Sequence, residues 1–80
     1  MGIKKSIKKL MRLPTEMRFS EAKMVLEYFG FELMRSKGSH FTFQGEGRPL
    51  TIVCHSGKIK RGYIEKIKQT IEENLKISHE

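Results

Sequence analysis

FELMRSKGSHFTFQGEGRPLTIVC, the stretch from Phe31 to Cys54, contains three runs that alternate with period two. Phe31 and Leu33 alternate with Glu32 and Met34; Phe41 and Phe43 alternate with His40, Thr42 and Gln44; Leu50 to Cys54 is a third run rich in β-branched residues. Successive side chains on a strand point to opposite faces, so each run buries one face and shows the other to solvent. The joints carry turn chemistry, Lys37-Gly38 after the first run and the glycine-rich Gln44-Gly45-Glu46-Gly47-Arg48-Pro49 after the second. The pattern predicts a three-stranded antiparallel meander. With Gln44 opposite Pro49, Phe43 meets Leu50, Phe41 meets Ile52 and His40 meets Val53. Phe41, Phe43, Leu50, Ile52 and Cys54 then point at a core, while His40, Thr42, Thr51, Val53 and His55 share the other face.

Outside this stretch the period changes to that of helices. Ile3, Ile7, Leu10 and Met11 fall on one stripe, with Lys4, Lys5, Lys8, Lys9 and Arg12 around it, which predicts a short basic amphipathic helix over residues 3–12. Pro14 ends that helix, because proline disfavours helical geometry in the residue before it, and Thr15 to Phe19 read as a connector. Ser20 is a suitable N-cap for a second helix over 21–29, with Ala22, Val25, Leu26 and Phe29 on its apolar face and Gly30 at its end. Ser56-Gly57 breaks the third strand. From about Lys60, the residues Ile64, Ile67, Ile71 and Leu75 make the stripe of a final helix, with Glu72 placed to pair with Lys76 and a frayed tail from Ile77 to Glu80. Met11, Met17, Met24 and Met34 are scattered, and the buried ones among them read as core filler rather than a binding surface.

The expected class is α+β, in the order α-α-β-β-β-α, with a three-stranded antiparallel sheet and helices packed on one face. Eighty residues support one modest core, so residues 1–80 form one domain, divided into a basic N-terminal helix and connector (1–14) and a core (15–77). Sixteen Lys and Arg against nine Asp and Glu give a net charge of +7. Such a bias attracts nucleic acid, an acidic protein or an anionic membrane surface, and it also fits a merely solvated basic face. Cys54 is the only cysteine, which removes an intrachain disulfide and points to a cytoplasmic setting. Lysines interrupt the apolar positions near the N-terminus, so neither a signal-peptide core nor a membrane span is expected.

The chemistry concentrates on two histidines. In the predicted register His40 and His55 are diagonal cross-strand neighbours, about 7 Å apart between backbone positions. Either can be a plain solvated side chain. Imidazole is the side chain suited to proton exchange near neutral pH, so either can also exchange protons with a ribose 2′-hydroxyl and a leaving 5′-oxygen while Lys and Arg hold the phosphate. A metal site is a third use of two histidines, but the same region has no HxxxH, no CxxC and no clustered carboxylate, and Cys54 and His55, adjacent in a strand, face opposite ways. Cys54 on the apolar face behaves as a small hydrophobe rather than a nucleophile.

Tyr28-Phe29-Gly30-Phe31-Glu32 followed by Lys37-Gly38-Ser39-His40 and an aromatic strand resembles the signature of the HicA toxin family, a GFE segment leading into a KGSH turn. Val53-Cys54-His55-Ser56-Gly57-Lys58-Ile59-Lys60-Arg61-Gly62 is similar to that family's second block, which precedes a final helix. The likeness covers about residues 16–75. It implies a fold like a double-stranded-RNA-binding domain, a messenger-RNA endonuclease using His40 as its catalytic residue, no metal or cofactor, and a HicB-like antitoxin as protein partner. The proline common before the second histidine is missing, so a more extended exit from the third strand is expected; His55 is a catalytic assistant, a phosphate contact or a residue that shapes the loop.

Under this reading RNA contacts are expected from Lys37, Gly38 and Ser39 in the first turn, from Arg48 in the second, and from His55. Lys58, Lys60 and Arg61 join them: they precede a helix, where cations oppose the helix dipole, so their clustering suits phosphate or an acidic partner better than helix stability. Gly38 serves a turn conformation or lets RNA backbone approach. The rivals are a non-catalytic module that binds RNA by shape, and a chain that acts only through a protein partner.

Overall fold

The alternating runs form the expected meander. The computed structural model describes the backbone of residues 2–78 and side chains as far as Leu75. Along it lie α1 (Ile3–Met11), β1 (Glu16–Arg18), α2 (Phe19–Tyr28), β2 (Glu32–Lys37), β3 (His40–Gln44), β4 (Leu50–Val53), β5 (Lys58–Lys60) and α3 (Arg61–Ser78). Strands β2, β3 and β4 make one antiparallel sheet in chain order. The β3–β4 register is the one the sequence predicts, with His40 opposite Val53, Phe41 opposite Ile52 and Phe43 opposite Leu50. Phe43, Leu50 and Ile52 are buried and Phe41 packs against the core, whereas Thr42 and Thr51 share the outer face, their hydroxyls 3.0 Å apart.

The helices cover the inner face of the sheet. Ala22, Val25 and Leu26 of α2 and Ile64, Ile67 and Ile71 of α3 are buried with Phe31, Phe43 and Ile52, a single core as an amphipathic pattern on each element requires. The basic helix α1 spends its apolar stripe on this same core: Leu10 and Ser6 are fully buried, and Ile3, Ile7 and Met11 pack against it. Lys9 Nζ lies 3.0 Å from Oε1 of the nearly buried Glu21, tying α1 to α2.

Several local expectations change. Residues 15–19 are not a plain connector: Glu16–Arg18 pairs antiparallel with Lys58–Lys60 in a separate two-stranded sheet, Met17 opposite Ile59, both buried. The helix that follows begins at Phe19, with extended Arg18 as its cap residue and no side-chain cap bond, so Ser20 is inside the helix rather than capping it. Lys58 and Lys60, expected only to precede the last helix, stand on a strand. Strand β2 continues to Lys37, with a bulge between Leu33 and Arg35 that leaves Met34 exposed on the outer edge. Helix α3 continues through Ile77 to Ser78 rather than fraying at Ile77; His79, Glu80 and the expected Glu72–Lys76 pair lie outside the described residues and side chains. Among the described residues no helix is long and apolar enough to cross a membrane.

Candidate functional site

Two tight turns, pinned to each other and to α2, gather the chemistry at one end of the main sheet. Gly38 and Ser39 link β2 to β3, with Lys37 paired to His40 across the turn. Gly38 has φ +58°, and nothing lies within 4 Å of where a Cβ would stand, so glycine is needed there for its backbone conformation and not for space. The second turn, Ser56-Gly57, has φ 51° and 76°, two left-handed residues in succession. That is the arrangement that joins strands by two residues without splaying them, and His55 and Lys58 exchange both backbone bonds around it at 2.9 Å. The chain leaving β4 therefore reverses at once instead of running on extended.

Backbone bonds join the two turns. The Cys54 N–H donates to the Ser39 carbonyl at 2.9 Å, carrying the β3–β4 ladder past His40, and the Phe19 N–H donates to the Gly57 carbonyl at 2.8 Å. Cys54 therefore sits beside Ser39, with His55 and His40 as their respective chain neighbours. Beneath, the Phe19 ring lies 4.5 Å from that of Phe41 and 6.2 Å from that of Phe43. Aromatic packing of this kind holds the start of β3, and with it the backbone that carries His40. His40, Lys37, His55 and Lys58 are all exposed.

The residues expected to touch RNA divide into two groups. Lys37, Gly38 and Ser39 form the turn that leads into His40, His55 is linked to that turn by the Cys54–Ser39 backbone bond, and Lys58 adjoins His55 through their paired backbone. Lys58 Nζ is 3.1 Å from Glu16 Oε1, an exposed pair that leaves the ammonium largely available to a stronger anion. Lys60 is exposed and forms no ion pair among the described residues. Arg61 is partly engaged: its Nε donates to the Leu13 carbonyl at 3.0 Å and its backbone N–H to that of Thr15 at 3.0 Å. Arg48 is not brought to His40. It occupies the turn at the far end of the β3–β4 hairpin, in a shallow depression shared with Lys66 and Glu73 of α3.

Two contributors escape the sequence reading. Arg18 stands opposite Lys58 in the small sheet and adds an exposed cation beside the second turn, and Phe19 supports β3 from below. The signal for both is Glu16-Met17-Arg18, whose exposed-buried-exposed alternation is genuine but only three residues long. Among the described residues no three His, Cys, Asp or Glu side chains cluster where they could hold a metal ion. An exposed imidazole beside a lysine, on a braced backbone, can exchange a proton with a bound polyanion while the ammonium neutralises its phosphate.

The family model described as "HicA toxin of bacterial toxin-antitoxin" matches residues 19–73, a span from the start of α2 well into α3. No curated protein and no solved structure matches the chain.

Proposed function

The chain belongs to the HicA toxin family, which makes it the toxin of a toxin–antitoxin pair with a cognate antitoxin, and on that premise we propose that it cuts messenger RNA in the cytoplasm with His40 as general acid or base. The observation that carries this reading is the position of His40, exposed at the start of β3 and bracketed by Lys37 and the His55–Lys58 turn.

In the version we favour, the ribose 2′-oxygen loses its proton to a base, attacks phosphorus and expels the 5′-oxygen, which takes a proton from an acid. The products are a 2′,3′-cyclic phosphate and a 5′-hydroxyl. An imidazole can serve as base or acid because it is ionisable where the cell works. Lys37 and Lys58 offset charge on the phosphate, and His55 contacts phosphate or shapes the turn. No metal or cofactor takes part. The antitoxin is HicB-like, covers the His40 face and meets its cations with acidic groups.

The test in cells is growth under tight induction. The unmodified gene is expected to arrest growth, His40→Ala to permit it at equal protein level, and co-expression of the antitoxin to restore it. Equal growth with both toxin genes would count against the reading. RNA binding without scission by the purified chain would favour a non-catalytic module, the role suggested by the likeness of this fold to domains that bind duplex RNA by shape.

A further inference from the structure

Helix α1 lies outside the matched span, and apart from Lys9, which pairs with Glu21, and Lys8, which like Lys9 suits the C-terminal end of the helix dipole, its cations have no evident role in holding the fold. Lys4 and Lys5 sit in its first turn, which contains no acidic residue, so they oppose the positive end of the helix dipole. Lys4 with Lys8, and Lys8 with Arg12, are like charges four apart on one surface, each pair disfavouring the helix. Only Lys9 is compensated, by Glu21. The other four cations are exposed and form no ion pair among the described residues. A helix that needed only to bury Leu10 and Ser6 could take neutral or mixed residues at these positions.

The end of α1 is also tied to the segment that leads to the site. Arg12 caps the C-terminal end of α1, and the next two carbonyls, of Leu13 and Pro14, are held by Arg61 Nε at 3.0 and 3.4 Å. Arg61 follows the exposed Lys60 of β5, and that strand begins at Lys58, paired with His55. A run of cations, interrupted by Glu16 beside Lys58 and Lys60, thus leads from the turn near His40, along β5, to a helix about 13 Å long at 1.5 Å per residue.

We propose that α1 is a second RNA-contacting element, which binds the phosphate backbone of the same strand that enters the His40 site and so lengthens the footprint. This rests on the ribonuclease reading. RNA fits better than an acidic protein because the exposed large apolar side chains, Tyr28, Met34 and Leu75, lie on other elements. A protein interface needs an apolar centre, whereas binding to phosphates needs only cations that can reach the strand.

The experiment measures binding of a long and a short oligouridylate to the His40→Ala chain over a salt series, with and without Lys4, Lys5, Lys8 and Arg12 all changed to Gln. The change is expected to weaken the long RNA's binding and to lower the slope of log affinity against log salt by about 0.7 for each phosphate that is no longer neutralised, leaving the short RNA little affected. Arg12→Gln alone, which leaves the rest of α1 intact, should lower the slope by about 0.7. Unchanged slopes for the long RNA overturn the proposal. So does loss of polyglutamate binding with RNA binding intact, which would assign α1 to an acidic protein. Cleavage of messenger RNA by the unmodified chain, run in parallel, reports on the His40 reading separately: cleavage with unchanged slopes sinks this inference alone, whereas absence of both RNA binding and cleavage sinks the reading beneath it as well.

Discussion

At position 45 the fold leaves no room for a side chain: a Cβ there would stand 2.8 Å from the buried Phe31 ring. Gly45→Ala should therefore destabilise the protein by about 1–3 kcal/mol through overpacking, read as a lower urea midpoint with an unchanged slope. An unchanged midpoint would mean that the Phe31 ring can move aside freely. Gly38 is constrained differently, by φ +58° in open space. Gly38→Asn should be tolerated, because asparagine visits the left-handed region, whereas Gly38→Val should cost about 1–2 kcal/mol and reduce any cleavage by displacing His40. Equal stability and activity of the two variants would contradict this account of the turn. The Gly38 turn and the pairing of His40 with Val53 are legible in the sequence because they follow from local turn chemistry and period-two alternation. The approach of Gly45 to Phe31 is not, because no local pattern reports which ring a loop glycine will meet.

Among the elements, those long enough to repeat a pattern can be read in advance, and those that are not can only be found in the fold. Strands β1 and β5 have three residues each and bury one apiece, Met17 and Ile59, too few to establish a period. What makes them strands is each other, a pairing between segments some forty residues apart in the chain. The helix start shows the same limit: Ser20 has good capping chemistry, yet the helix begins two residues earlier than that cap implies, because Phe19 is drawn under Phe41 and its N–H is taken by Gly57. The attachment of α1 yields a further prediction. Glu21 is nearly buried, one carboxylate oxygen meets Lys9 and the other has no hydrogen-bond partner. Lys9→Ala should cost about 1–2 kcal/mol, less than a fully buried pair would because Lys9 is itself partly exposed, and changing Glu21 to Met as well as Lys9 should recover most of the loss. Urea unfolding of the single and double variants measures this, and a double variant as unstable as the single one would contradict it.

For the whole molecule, the net charge of +7 acquires a direction once the basic segments are placed: apart from Arg48, the residues expected to touch RNA run from His40 through the second turn and along β5. If RNA and antitoxin share this surface, reversing Lys60 and Arg61 to Glu should slow antitoxin association and flatten its salt dependence, with a smaller effect on stability. Association and RNA cleavage both unchanged across a salt series would make β5 an ordinary solvated edge. The sequence carried the class of fold and the candidate histidine; it did not show how the second histidine's turn is braced, because that depends on the pairing of β1 with β5. The central claim is that His40 performs the chemistry without a metal. Its most direct test is cleavage of a messenger RNA by the purified chain in excess EDTA, beside His40→Ala and beside a substrate with a 2′-deoxy group at the scissile position. The unmodified chain is expected to cut, a His40→Ala chain of unchanged circular dichroism is expected not to, and the deoxy substrate is expected to stay whole. A requirement for magnesium, or scission that survives His40→Ala, would contradict the claim.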